Sequence, residues 1–301
     1  MTRELEDLTG KTCIVTGGST GIGHETALGL ARLGAGVLVV CRSRERGQAS
    51  VARIREETGS DSIELMLADL SAQASVRRLA RDILAHNPQI HVLVNNAGVY
   101  RRRRELSEDG IESTLATNYF GPFLLTNLLL ERMLASAPGR IVNLTSDLHR
   151  KATLDPAGLA ADGRFSGMKA YGRSKLANLL FNLELARRLQ GSGIEVNAVH
   201  PGTVATEIAQ GDGGPAAVLF RLARPFLLDA ARGAETPLYL AASEELRGVS
   251  GRYFIRCEQV EPSEDATNED LARQLWEVSE KLVRLDDEAP TLVPGNGAGL
   301  Q

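Results

Sequence analysis

The chain has 301 residues, 43% hydrophobic and 24% charged, with a formal net charge of −4. That length fits one large globular domain or two small ones, with a core that needs neither metal nor disulfide support. The acidic balance argues against nucleic acid as a partner. Cys13, Cys41 and Cys257 are odd in number and widely spaced, which reads as reduced thiols in a cytoplasmic compartment. The opening Met1-Thr-Arg-Glu-Leu-Glu-Asp is too polar for a signal peptide or an integral membrane anchor. The longest uncharged run, Ser113 to Leu130, is broken by Asn118, Gly121, Pro122 and Asn127 and is too polar to span a bilayer.

In chain order, apolar runs of strand length alternate with helical patterns. Thr12–Thr16 is expected as a strand, Ile22–Leu33 as a helix and Val37–Cys41 as a strand. A charged helix is expected over Arg44–Glu57, then a strand at Ile63–Leu67, a helix over Ala72–His86 and a strand at His91–Asn95. A long helical region covers Asp109–Ala135, followed by a strand at Arg140–Thr145, a helix over Met168–Gln190 and a strand at Glu195–Val199. Such alternation predicts an α/β protein: a doubly wound parallel sheet, the Rossmann fold, of about seven strands with helices on both faces. One domain is expected over 1–285, then a flexible tail over 286–301 that is acidic and afterwards rich in Pro and Gly.

The first strand runs into Thr16-Gly-Gly-Ser-Thr-Gly-Ile-Gly23 and then a helix. Glycines permit a tight turn and close backbone approach, and the helix N-terminus offers free N–H groups to a pyrophosphate. In strand–turn–helix context, Gly17, Ser19, Thr20, Gly21, Ile22 and Gly23 therefore read as a dinucleotide site, with a purely structural turn as the alternative. The same residues spell G-x-S-x-G, the nucleophile elbow of α/β-hydrolases, with Ser19 as nucleophile. Only one strand precedes it, so no upstream loop is available to complete an oxyanion hole.

At the end of the second strand, Cys41-Arg42-Ser43-Arg44 holds no acid for a ribose 2′-hydroxyl. Arg42 can instead pair with a 2′-phosphate, which points to NADP; a solvated arginine opening a charged helix is the other reading. After the third strand, Asp69, followed by Leu70, can accept from an adenine amino group or cap the next helix.

Tyr171-Gly-Arg-Ser-Lys175 stands at the start of a long helical pattern. Four residues apart on a helix, Tyr171 and Lys175 share a face, with Cβ atoms about 5–6 Å apart. A cation at that distance, at an effective dielectric near 20, favours phenolate by on the order of 3 kcal/mol. Tyr171 is therefore expected to be depressed by about two pKa units toward neutral pH, where general acid–base work is efficient. A half-buried aromatic beside a solvated lysine is the plain alternative.

With Asn95-Asn-Ala-Gly98 closing the fourth strand, a set of motifs is complete. Thr16–Gly23, Asp69, Asn95–Gly98, Asn118, Ser146, Tyr171 with Lys175, and His200-Pro-Gly-Thr-Val-Ala-Thr206 together resemble the short-chain dehydrogenase/reductase family. Within it the chain is most similar to the retinol-dehydrogenase-like group. Similarity to that group continues in Val249–Phe254 and Leu271–Leu285.

The resemblance implies Asn118, Ser146, Tyr171 and Lys175 as catalytic residues. Tyr171 would exchange the proton of the substrate oxygen, Ser146 would hydrogen-bond that oxygen, and Asn118 would help order a water. Lys175 would tune Tyr171 and hold the nicotinamide ribose. It further implies NADP contacts from Asn95, Ala97, Gly98, Tyr171, Lys175, Pro201, Gly202, Val204 and Thr206. Many NADP-preferring relatives carry a second basic residue inside the glycine turn. Ser19 and Thr20 stand there, which leaves His24 and Arg44 as the nearest substitutes.

The implied function is carbonyl–alcohol interconversion on a lipophilic aldehyde, ketone, retinoid-like or polyketide-like compound, by a monomer or homodimer. A cofactor-binding regulatory protein without turnover is the alternative from another class. Residues 203–230 would form a substrate lid, with Leu219, Phe220, Phe226 and Leu227 as its apolar content. The stretch Asp147–Gly167 resembles the longer loop of the retinol-dehydrogenase-like group and is expected to wall the substrate pocket. Arg101–Arg104 reads as a solvated loop, with attraction of an acidic substrate or partner as the alternative. The five histidines include no pair at helical ligand spacing, so no metal site is expected.

Overall fold

The computed structural model describes residues 4–156, 159, 165–202 and 229–285. The apolar runs form β1 (Thr12–Thr16), β2 (Gly36–Cys41), β3 (Ile63–Leu67), β4 (Val92–Asn95), β5 (Gly139–Leu144) and β6 (Ile194–His200). Two short strands extend them, β7 (Tyr253–Ile255) and β8 (Glu258–Gln259). The order is β3-β2-β1-β4-β5-β6-β7-β8, with every neighbouring pair parallel except β7 and β8. The helices are α1 (Gly21–Arg32), α2 (Arg44–Thr58), α3 (Gln73–His86), α4 (Ser113–Leu115), α5 (Gly121–Ala135), α6 (Gly167–Arg188), α7 (Ala230–Ala242) and α8 (Glu269–Leu282). This is the doubly wound sheet expected: seven parallel strands, with one antiparallel strand added at the edge.

Period-two alternation along the strands sends successive side chains to opposite faces. Ile14, Leu38, Val40, Leu93 and Ile141 pack on one face with Leu79, Phe123, Leu124, Leu180 and Trp276. Cys13, Val15, Val37, Val39, Val94 and Val142 pack on the other with Leu28, Leu30, Val51, Ile54 and Leu240. Each such side chain contributes roughly 1.5–3 kcal/mol by leaving water, so the two cores hold the layers together without a cross-link.

Capping fixes where helices begin. The Ser43 hydroxyl accepts from Arg46 N–H at 3.3 Å and starts α2, and Gly59, at φ +69°, ends it in the left-handed conformation. The long helix expected over Asp109–Ala135 is not continuous. It starts at Ser113, where the Glu112 carboxylate accepts from the N–H groups of Thr114 and Leu115. A π turn over Ala116–Phe120 then separates α4 from α5. The elements α7, β7, β8 and α8 were not anticipated as elements.

Strand order reverses between β1 and β4, whose following helices cover opposite faces. The chain therefore parts at their carboxyl ends and leaves a crevice. The lid expected over 203–230 lies outside the described residues, apart from Asp229 and Ala230 at the start of α7, as does the tail at 286–301. Among the described residues, no helix is long and apolar enough to cross a membrane.

Candidate active site

The crevice holds a cleft of about 360 Å³ lined by Gly17, Ser19–Gly23, Cys41, Arg42, Arg46, Ala68–Leu70 and Asn96–Arg101. Helix α1 opens at this cleft. Thr20 occupies its cap position without a side-chain hydrogen bond, and the first turn carries no acidic residue. Its leading N–H groups are left to a ligand, and the partial positive charge there suits a pyrophosphate. The residues present therefore fit the dinucleotide that the motif implies.

The turn itself is held by close approach. Gly17 has φ +67°, and a Cβ added there would lie 2.8 Å from Ala97 Cα. A Cβ on Gly23 would lie 2.3 Å from the Gly17 carbonyl oxygen. Asn96 clamps the turn, its Nδ2 donating to the carbonyls of Thr16 at 2.8 Å and Gly17 at 3.2 Å. Thr16 Oγ1 answers by accepting from the N–H groups of Asn96 and Ala97, both at 3.1 Å.

Asn95 does not reach the cleft. Its Nδ2 donates to Thr126 Oγ1 at 3.0 Å and to Asn143 Oδ1 at 2.9 Å, inside the core. Alternation at the end of β4 turns Asn95 inward and its neighbour Asn96 outward. Asn96 is a site residue that sequence reasoning passed over, although it stands inside the quoted motif.

At the far end of the cleft, Arg42 Nη1 lies 3.8 Å from Asp69 Oδ2, with both side chains well exposed. Asp69 Oδ1 accepts from the N–H and hydroxyl of Ser71 at 2.9 and 2.6 Å, so this carboxylate also shapes its own turn. The second cation lining the cleft is Arg46, one turn into α2. The substitutes expected for it are placed elsewhere. Arg44 is exposed outside the cleft. His24 is buried with Nδ1 at 2.7 Å from Ser50 Oγ, and burial pushes its pKa down. The place of Arg46 in the first turn of α2, just after the Arg42 strand end, was the signal that could have found it. Arg101 also departs from expectation: it lines the cleft and its Nε lies 3.3 Å from Glu105, while Arg102–Arg104 are exposed.

The four catalytic candidates come from three elements. Ser146 follows β5 and caps a 3₁₀ turn over Asp147–Lys151. Tyr171 and Lys175 stand in the first turns of α6, and Asn118 sits in the π turn, a form of helix frequent at functional sites. The Ser146 side chain lies close enough to the Tyr171 phenol to pull its pKa down. Lys175 Nζ lies 5.4 Å from the centre of the Tyr171 ring and donates to the Leu144 carbonyl at 3.1 Å. Asn118, fully buried, accepts from Val99 N–H at 2.7 Å and donates to Val99 O and Ser174 Oγ, both at 3.0 Å. Ser174 donates in turn to the Tyr171 carbonyl at 2.8 Å, which ties the π turn to α6. A Cβ on Gly98 would lie 3.6 Å from both Lys175 Nζ and Asn118 Oδ1, so the β4 loop lies against both. Tyr100 meets the Tyr171 ring edge-on at 6.2 Å.

The expected depression of Tyr171 is not found. Burial pushes its phenol up to about 12, against a smaller downward pull from the Ser146 hydrogen bond. Burial also brings Lys175 down to about 8. The attraction between the two was weighed at the level of sequence, but the cost of removing both charged forms from water was not, and here it dominates. Tyr171 is accordingly a neutral phenol beside a buried ammonium group. Such a phenol and the Ser146 hydroxyl can both donate to one oxygen atom.

Pro201 and Gly202 follow the end of β6, Gly202 with φ +86°. Val204 and Thr206 lie outside the described residues, as do residues 157–158 and 160–164 of the expected pocket wall.

A family profile described as short chain dehydrogenase matches residues 11–213. Mouse (Mus musculus) retinol dehydrogenase 12 is 42% identical over 93% of this chain and 88% of its own length. A crystal structure of a putative uncharacterized protein from Mycobacterium paratuberculosis superposes with a TM-score of 0.77 at 32% identity, over 93% of this chain and 96% of the other. A putative short chain dehydrogenase from Escherichia coli CFT073, complexed with NADPH, gives 0.69 at 25% identity over 85% and 100%.

Proposed function

The chain belongs to the short-chain dehydrogenase/reductase family, close to its retinol dehydrogenases, and from that premise we propose an NADP(H)-dependent enzyme for lipophilic carbonyls and alcohols. It is an oxidoreductase that interconverts an alcohol and a carbonyl with a nicotinamide cofactor. The reading beyond that assigns Asn118, Ser146, Tyr171 and Lys175 to catalysis within one domain over 1–285, with a lid over 203–230. The observation that carries it is the gathering of Tyr171, with Ser146 close enough to pull its phenol down, beside a lysine only 3% exposed to solvent.

In the reducing direction, Tyr171 gives its phenolic proton to the substrate oxygen while the Ser146 hydroxyl donates a hydrogen bond to the same atom. The Lys175 cation stabilises the phenolate left on Tyr171. Asn118 holds the loop at Val99 and, through Ser174, the helix turn that carries Tyr171. A nicotinamide held in this cleft would supply or accept the hydride. Gly17–Gly23 at the start of α1 would hold the pyrophosphate, Asp69 the adenine, and Arg42 with Arg46 a 2′-phosphate. Pro201, Gly202, Val204 and Thr206 would hold the nicotinamide end.

Support for a lipophilic substrate comes from the relatives named for retinol and from Leu219, Phe220, Phe226 and Leu227 in the lid sequence. The purified full chain, given NADPH or NADH with aldehydes and ketones from short polar compounds to fatty aldehydes and retinaldehyde, tests the reading by cofactor absorbance. NADPH consumption with the lipophilic members is expected. Consumption with no member overturns the enzyme assignment, preference for short polar carbonyls overturns the substrate class, and preference for NADH overturns the cofactor.

A further inference from the structure

His149 is fully buried three residues after Ser146, in the 3₁₀ turn that Ser146 caps. It grips the Ser146 carbonyl twice, through its backbone N–H at 3.1 Å and its ring Nδ1 at 2.8 Å. A carbonyl can only accept, so Nδ1 carries a proton. The other ring nitrogen, Nε2, lies 3.1 Å from the backbone N–H of Ser263, which can only donate, so Nε2 carries none. The two partners therefore define a single neutral tautomer. The edge of the ring is closed by Tyr253 of β7, at 5.3 Å and near-perpendicular. Next along the turn, Arg150 Nη2 donates to the Glu261 carbonyl at 2.6 Å and its Nε to Asp147 Oδ1 at 2.8 Å.

These bonds join the turn below Ser146 to the segment 261–263, which leads into α8. By contrast, apart from its approach to Tyr171 the Ser146 hydroxyl has only a long local contact, accepting from Leu148 N–H at 3.4 Å. Its aim toward Tyr171 is set by the backbone that His149 holds. We propose that His149 is a positioning residue of the active site, holding the Ser146 backbone against the 261–263 segment so that the serine hydroxyl meets Tyr171. The inference rests on Ser146 and Tyr171 acting as the proposed function assigns them.

Three replacements separate the two ends of the ring. His149→Phe keeps the volume and loses both bonds, Asn can restore the donor to the Ser146 carbonyl, and Gln can restore only the acceptor for Ser263. With NADPH and the fastest aldehyde of the panel, His149→Phe should lower kcat by about tenfold to hundredfold, the scale of a misplaced catalytic group. NADPH dissociation constants, read by fluorescence, should stay within about threefold, because the cofactor is bound elsewhere. Asn should recover most of the rate and Gln little of it. A Phe variant with near wild-type kcat, or Asn and Gln variants of equal rate, overturns the proposal. If Phe fails to fold, the Asn–Gln comparison decides alone. Ser146→Ala, measured alongside, keeps the premises apart: retained turnover there overturns the catalytic reading itself. Lost turnover there with unaffected His149 variants overturns only the positioning role.

Discussion

Lys175 Nζ and Asn178 Nδ2 donate to one acceptor, the carbonyl oxygen of Leu144, each at 3.1 Å. Removing the lysine therefore leaves that carbonyl satisfied by Asn178. What it takes away is a cation whose burial has brought it from 10.5 to about 8.

The first prediction follows from that cost. A shift of that size corresponds to on the order of 3 kcal/mol of destabilisation while the lysine is charged in both the folded and unfolded states. Between pH 8 and 10.5 the unfolded chain binds the extra proton, so wild-type stability from this group rises with pH through that window. Lys175→Met should thus lose turnover yet be more stable at pH 7, with the advantage shrinking as pH climbs from 8 toward 10.5. Urea unfolding at pH 7 and pH 10 measures it. A variant less stable than wild type at pH 7 would show that the buried charge is compensated by more than its bond to the Leu144 carbonyl supplies.

Tyr171→Phe should lower kcat by about 10²–10⁴-fold, the usual worth of general acid–base catalysis, with cofactor affinity nearly unchanged. Steady-state rates with a fluorescence titration of NADPH separate the two. Near wild-type kcat would remove Tyr171 from the proton transfer.

Cofactor choice should depend on Arg42 and Arg46, two of the arginines that line the cleft. The Arg42–Asp69 pair at 3.8 Å is exposed and screened, so it competes weakly with a 2′-phosphate. Arg42→Ala should cut the NADPH/NADH ratio of kcat/KM by about ten- to hundredfold, as expected for one charge-assisted contact. Arg46→Ala should move it the same way by less. An unchanged ratio in Arg42→Ala ends the assignment of that residue to the phosphate.

Gly23→Ala places a methyl group 2.3 Å from the Gly17 carbonyl and 2.4 Å from Asn96 Nδ2. The clamp must open to admit it, at a cost of about 1–3 kcal/mol, typical of overpacking. Chemical denaturation checks this. A loss below about 0.5 kcal/mol, the range of ordinary surface substitutions, would mean that the turn is looser than its contacts imply.

Much of this was legible in the sequence where one physical rule governs. The strands β1, β2, β4, β5 and β6 are buried on both faces, so they stand out as apolar runs. The glycine turn is readable because only glycine tolerates its contacts. Legibility fails where the outcome depends on partners distant in sequence. β7 has three residues and exists by pairing with β6, and α7 carries Pro237 within a helical stretch. Whether Asn95 or Asn96 enters the cleft depends on the residue at which β4 ends. The pKa of Tyr171 depends on enclosure by several elements, which a four-residue spacing does not encode. His149 was noted only as one of five histidines, since its partner Ser263 lies over a hundred residues away.

The π turn at Ala116–Phe120 limits how this chain can be cut and recombined. Each residue advances an α-helix by about 100°, so removing one here to restore uniform pitch would rotate one flank of the helix against the other by that amount. Asn118 would keep its bonds to Val99 and Ser174, or Phe123, Leu124 and Leu129 would keep their places against the sheet, but not both. The stretch from Glu112 to Ala135 therefore behaves as one indivisible cassette. Chimeras with other members of the family should retain the active site only when their junctions fall outside it.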